Sequence, residues 1–349
     1  MHTAQIIAQI AIGLLVLLFW IWGSLALFIA GPESNWVKYL LLTFFVIALP
    51  LALYLDLAYW QRLLSLLFVF AILMTWWIPM KATNDKDWAP ELAKIPYGEF
   101  DDNILVLHNV RNFKYTSRTE FTEHWETRRY DMEQLESLDI FLSYWGSPHI
   151  AHVIMSWGFS NGEYLSISIE TRKDKTQVYS ELKGFFKQYT IAYVAADEKD
   201  LIRLRTNYRK EQVLAYRIQN IPEQYKRYLL ESYVNHMNKL VDKPEFYHAL
   251  LQNCTAGISG HYKVFMPDAS WIDWRLIANG YLDGLLYDLN LIRNDMPFDE
   301  LRTQSRIDVR LQELGEENFS ENIRKGISWK EFPVSAEHKA MDDLSTKKK

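Results

Sequence analysis

The chain of 349 residues holds one cysteine, Cys254, within "LLQNCTAGISG" (250–260). A lone thiol cannot close an internal disulfide and is too few for a cysteine zinc site. No metal or other cofactor is expected. The remaining roles are a buried filler, an intermolecular bridge or a reactive thiol. A thiol becomes a good nucleophile when a helix N-terminus or a paired histidine lowers its pKa. Asn253 suits the N-cap of a helix opening at Cys254, and the small residues that follow allow close packing against a sheet. Gly257 and Gly260 weaken such a helix unless packing requires them. Asn253 could instead supply an oxyanion donor, but capping is the simpler role.

A base for that thiol is found a hundred residues earlier. "HVIMSWGFSNGEYLSISIETR" (152–172) is two β-rich runs around Ser-Asn-Gly, a strong hairpin signal. With a two-residue turn at Asn161-Gly162, Val153, Met155 and Trp157 would face Glu170, Ser168 and Ser166. Apolar would then oppose polar throughout, which a half-buried sheet disfavours. A three-residue loop, Ser160 to Gly162 with Gly162 left-handed, pairs Phe159 with Glu163. Val153 then meets Ile169, Met155 meets Ile167 and Trp157 meets Leu165. On the other face Ser156 meets Ser166, Ile154 meets Ser168 and His152 meets Glu170. Cross-strand neighbours lie roughly 5 Å apart at Cβ, within reach of an imidazole–carboxylate hydrogen bond. The hydrophobic pattern therefore selects the register that couples His152 to Glu170. A purely structural His–Glu brace is the competing role. His149 is the second-choice histidine, because Pro148 places the strand start after it.

The elements that must carry these residues follow from composition. Hydrophobic residues make up 49% and aromatics 15%, and the formal net charge is −5, which gives no broad basic field for nucleic acid. Residues 1–80 contain only Glu33, Lys38, Asp56 and Arg62 as charged side chains. Within them, 4–31, 39–55 and 63–80 read as three transmembrane helices, each close to the roughly 20 apolar residues that cross a bilayer. Pro50 is tolerable inside such a helix. Trp60, Trp76 and Trp77 fall where aromatic belts sit. The first segment lacks the basic start and small-residue cleavage site of a signal peptide, so it is read as a retained span. Arg62 and Lys38 mark successive loops, a near tie that leaves orientation undecided by charge.

From residue 81 to about 335 the pattern is that of an α+β domain, and 336–349, ending in three lysines, reads as a solvated tail. "NILVLHNV" and "NFKYTS" are expected strands. Residues 222–241 predict an amphipathic helix with Pro222 in its first turn and Leu229, Leu230, Tyr233, Val234, Met237 and Leu240 on one face. "DLIRLRTNYRK" carries Arg203, Arg205 and Arg209. These either hold a phosphate head group or, the favoured role, line a solvated strand face or form ion pairs with Glu198 and Asp200. Trp271, Trp274 and Arg275 cluster in "WIDWRLIANGY"; they could form an interfacial or acyl-groove wall, but core packing is the expected role of each tryptophan.

Four ordered blocks, "NVRNFKY", "SYWGSPHIAHVIMSWGFSNGEYLSISIETRK", "LKGFFKQYTIAYVAADEKDLIRLRTNYR" and "EFYHALLQNCTAGI", resemble the Lnb N-terminal periplasmic domain family over roughly residues 85–330. The order of a histidine first and Asn-Cys later also resembles the circularly permuted papain-like group of thiol hydrolases and acyltransferases. By that resemblance Cys254 matches the nucleophile, His152 the base and Glu170 the orienting residue. The resemblance implies lipoprotein N-acylation, with a membrane phospholipid as donor and a lipoprotein as acceptor. It also implies a domain outside the inner membrane, which three spans with a cytoplasmic N-terminus would deliver. In named Lnb enzymes the periplasmic domain precedes further membrane sequence, whereas here the spans come first, so the acceptor does not transfer directly. Two alternatives stay open: a cysteine amidase or peptidase of the cell envelope, and a non-catalytic assembly or binding protein.

Overall fold

The computed structural model describes residues 2–248, 273–311 and 317–325. Cys254, Asn253 and Trp271 lie outside them, as does the 336–349 tail. The chain divides into two compact units. One is the chain up to Ala82 together with Tyr179–Tyr189 and Phe246–His248; the other holds the remainder.

The first unit contains α1 (His2–Ala30), α2 (Asn35–Tyr54) and α3 (Tyr59–Trp77). All three are long and apolar enough to cross a membrane. Gly23 marks where they approach closely: a Cβ there would lie 2.5 Å from the Phe45 ring and 2.7 Å from Leu73. Trp20 stacks on Phe45 at 4.5 Å, and its Nε1 donates to the Phe45 carbonyl at 2.8 Å. Outward-facing Leu18, Phe44 and Phe68 stay exposed, as side chains facing hydrocarbon would.

The second unit is built on one mixed sheet. Its strands are β1 (Tyr97–Asp101), β2 (Ile104–Arg111), β5 (Trp125–Asp131), β6 (Leu135–Tyr144), β7 (Ala151–Phe159), β8 (Tyr164–Arg172), β9 (Thr190–Ala196) and β10 (Gln212–Arg217). The spatial order is β1-β2-β9-β8-β7-β6-β10, with β5 also paired to β2. The short β3 (Lys114–Tyr115) and β4 (Phe121–Thr122) form a separate ribbon. Every pairing is antiparallel except β2 with β9.

The β7–β8 hairpin has the register that its apolar pattern demands. Met155 pairs with Ile167, Trp157 with Leu165, Ser156 with Ser166 and Ile154 with Ser168. The loop closes through Phe159 N–H to the Glu163 carbonyl at 2.9 Å, and Gly162 is left-handed at φ +84°.

Both faces of the sheet are covered. On one, Val153, Met155, Trp157, Leu165 and Ile167 join α5 (Glu223–Asp242), whose Leu229, Leu230, Tyr233, Val234, Met237 and Leu240 are all buried. Pro222 stands at the N-cap of α5, one position before the first turn. Trp157 Nε1 donates to the Lys226 carbonyl at 3.0 Å. On the other face, Phe141, Ile154, Val194 and Ala215 pack against Leu201 and Ile202 of α4 (Glu198–Arg203).

"DLIRLRTNYRK" is not a strand: α4 starts on Asp197, whose side chain accepts from Lys199 N–H at 3.1 Å, and passes into a π-helical turn at Leu204–Tyr208. Glu198 and Asp200 are fully buried, but their partners are not the nearby arginines. Asp200 takes Arg111 at 2.7 Å. Glu198 accepts from Ser156 at 2.6 Å and from Arg324 at 2.7 Å. Arg324 also binds Asp139 at 2.6 Å and stacks on the Tyr164 ring at 3.8 Å, while Arg217 supplies Asp139 with a second guanidinium. Trp274 is likewise not core: it is 58% exposed, against Tyr281.

Candidate active site

His152 stands on β7, where it pairs with Ser143 of β6. Strict alternation puts its side chain on the α4 face with Ile154 and Ser156. Glu170 and Ser168 share that face on β8 because they are two residues apart. The formal β7–β8 pairing runs from Ile154 to Gly158, yet the side chains beyond it still meet. His152 Nε2 lies 3.1 Å from Glu170 Oε1 and 2.6 Å from Ser168 Oγ. Ser168 Oγ–H donates to the same Glu170 oxygen at 2.7 Å.

These contacts assign the tautomer. Ser168 gives its proton to the carboxylate, so its oxygen accepts, and Nε2 must carry the hydrogen of the imidazole. Proton exchange with any third group would then run through Nδ1. Trp145 lies edge-on to the His152 ring at 6.5 Å.

Arg205 fixes the far end of the chain of contacts. Its Nη2 donates to Glu170 Oε1 at 2.9 Å, and its Nη1 holds the Leu201 carbonyl at 2.9 Å. The π-helical turn aims this side chain inward; such turns often occur at functional sites. Glu211 lies 3.9 Å from Arg205 Nε and 3.8 Å from Arg209, and it accepts from Ser143 Oγ at 2.6 Å. Arg205 and Arg209 are thus engaged by carboxylates of the domain, and Arg203 lies over the Tyr208 ring at 5.4 Å.

Burial by itself would raise the Glu170 carboxyl. The His152 ring, the Arg205 guanidinium and the Ser168 hydroxyl outweigh it and hold Glu170 well below the usual carboxylate range. An ionised Glu170 orients the imidazole and stabilises its protonated form.

His149 is not part of this group. It precedes the strand, is exposed, and bonds the Tyr281 hydroxyl through Nδ1 at 2.7 Å. Among the described residues, no cluster of His, Cys, Asp and Glu is arranged to hold a metal ion. Ser168, Ser143 and Glu211 had not been singled out from sequence. The Ser-x-Glu spacing on one strand face was a usable signal for Ser168; nothing local marks the other two.

Three helices able to cross a membrane, followed by a mixed α+β domain with a polar cluster on one sheet face, define a membrane-associated protein with a separate folded domain. Residues 121–280 match the family model of the Lnb N-terminal periplasmic domain. The match is narrower than the 85–330 span of the sequence blocks, but it includes His152, Glu170, Arg205 and the Asn253-Cys254 pair. It points to a periplasmic location for the domain. No curated protein and no solved structure matches the chain.

Proposed function

We propose that the protein is a membrane-anchored thiol acyltransferase or lipid-ester hydrolase acting at the outer face of the bacterial inner membrane. Its domain would have the permuted papain-like arrangement, and its three helices would span the bilayer with the N-terminus in the cytoplasm. His152 Nδ1 takes the Cys254 proton, and the thiolate attacks the carbonyl carbon of a membrane phospholipid ester. The tetrahedral intermediate collapses to an acyl-thioester as the protonated His152 gives its proton to the departing alcohol. A backbone N–H at the helix start, with Asn253 as its cap, stabilises the oxyanion. An amine, such as a lipoprotein N-terminus, or water then attacks the thioester. His152 removes the proton of the incoming group, and the thiol is restored.

The observation that carries this assignment is the His152–Ser168–Glu170–Arg205 chain, an imidazole held by an ionised carboxylate that a buried guanidinium anchors. The family match adds the periplasmic setting, and anchoring concentrates the site at a lipid surface.

Incubating the full chain with acyl-labelled phospholipid tests the proposal. The expected result is a hydroxylamine-sensitive label on Cys254, absent from Cys254→Ser and His152→Ala. An unlabelled wild type that instead cleaves envelope peptides would replace it with the amidase assignment. A Cys254 thiol that alkylates only after denaturation would leave a non-catalytic protein.

A further inference from the structure

The connection from β8 to β9 contains "YSELKGFFKQY" (179–189), and this stretch belongs to the helical unit rather than to the sheet unit. Phe186 is buried there, with its ring 6.4 Å from both Trp22 and Trp77; those two tryptophans meet edge to face at 5.0 Å. Lys187 takes a left-handed conformation, φ +53°, which a non-glycine residue adopts only when its surroundings impose it. Its Nζ donates to the Trp77 carbonyl at 2.7 Å and lies 4.8 Å above the Trp77 ring. Trp77 closes α3, so its carbonyl is one of those a helix end leaves without an internal partner, and a cation is favoured there. Burial lowers the Lys187 ammonium from its ordinary value.

The same stretch carries exposed apolar side chains. Leu182 is 50% exposed and Tyr179 is 42% exposed. Leu182 opens a single 3₁₀ turn, Leu182–Phe185, that runs directly into the anchored Phe186. Tryptophans at the end of an apolar span mark the depth of the membrane–water boundary, and lysines beside them keep their amines at the head groups. A segment clamped to the last carbonyl of α3 shares that depth. Exposed leucine and tyrosine, with Lys183 between them and the clamp, have the composition of an interfacial lipid contact.

We propose that Tyr179–Lys187 is a lipid-contact loop, with Leu182 and Tyr179 seated at the boundary between phospholipid head groups and acyl chains. This goes beyond the thiol chemistry and holds whether or not Cys254 is a nucleophile.

The test uses the full chain in vesicles of phosphatidylethanolamine and phosphatidylglycerol. Leu182→Cys or Tyr179→Cys, each with Cys254→Ser so that one thiol remains, carries a nitroxide. Thr119→Cys, at an exposed position of the sheet unit, is the aqueous control. The expected result is faster relaxation by oxygen than by a water-soluble nickel complex at 182 and 179, and the reverse at 119. Aqueous behaviour at both loop positions would overturn the proposal. As an independent reading, p-benzoylphenylalanine in place of Tyr179 should give a phospholipid adduct on irradiation. An adduct only with protein, whether a second copy or another chain, would sink the lipid assignment.

Discussion

Two polar clusters occupy the α4 face of the sheet, and they are built on different principles. In one, Asp139 and Glu198 are fully buried and met by Arg217 and Arg324, so two carboxylates face two guanidiniums. In the other, Arg205 and Glu170 are joined to an imidazole and a serine hydroxyl, and His152 and Glu170 retain 13% and 25% of their side-chain exposure. The first set holds only carboxylates and guanidiniums; the second includes an imidazole. Burial of charge alone therefore does not mark chemistry. A titratable ring inside a charge-balanced set is the feature on which the proposed chemistry rests.

The largest effect expected from this contrast is on stability. Arg324→Ala leaves Asp139 with Arg217 but strips the buried Glu198 of its cation, with only Ser156 remaining, and should cost about 3–5 kcal/mol. That corresponds to a fall in Tm on the order of 10 °C, measurable by thermal melts in detergent. A melt unchanged by this substitution would erase the distinction between the two clusters. Next comes His152→Ala, which should leave the melt almost unmoved yet slow alkylation of native Cys254 by about 100-fold. Equal alkylation rates in variant and wild type would reduce His152 to a structural member like Arg324.

Glu170→Gln should then separate the clusters by pH. The folded carboxyl sits below its unfolded value, so its stabilisation is complete above the ordinary carboxylate range. It is lost as pH falls through the depressed folded value. The stability difference between wild type and variant should be widest at neutral pH and close in acid; a gap that widens in acid would reverse the assigned charge state. The smallest effect is expected at the hairpin tip. Gly162→Ala meets no neighbour within 4 Å, but a Cβ at φ +84° should cost about 1 kcal/mol. A silent melt would mean that the loop relaxes without its left-handed residue.

How much could be read from sequence depended on how local the determining physics was. The β7–β8 register and the buried face of α5 were legible because strict apolar alternation and a 3.6-residue repeat act within one element. The three apolar helices were legible by length, within a few residues at each end. The strand face expected within 200–210 gives way to helix because alternating apolar and charged residues there satisfy a short helix equally well, and Asp197 as N-cap decides between them. The arginine partners of Glu170, Glu198 and Asp200 lie 35, 126 and 89 residues away along the chain. No spacing rule reaches that far. His152 and Glu170 were readable as a pair only because a hairpin makes distant residues local.

That dependence on the tip has an engineering corollary. The three residues Ser160–Gly162 set the phase of the whole returning strand, so deleting one of them would rotate the inward and outward sets of β8 into each other's places. Glu170 would then turn toward α5 and Ile169 toward His152. Loop length at a site about 25 Å along the strand thus acts as a parity bit, one residue of which separates an imidazole held by a carboxylate from one facing an isoleucine.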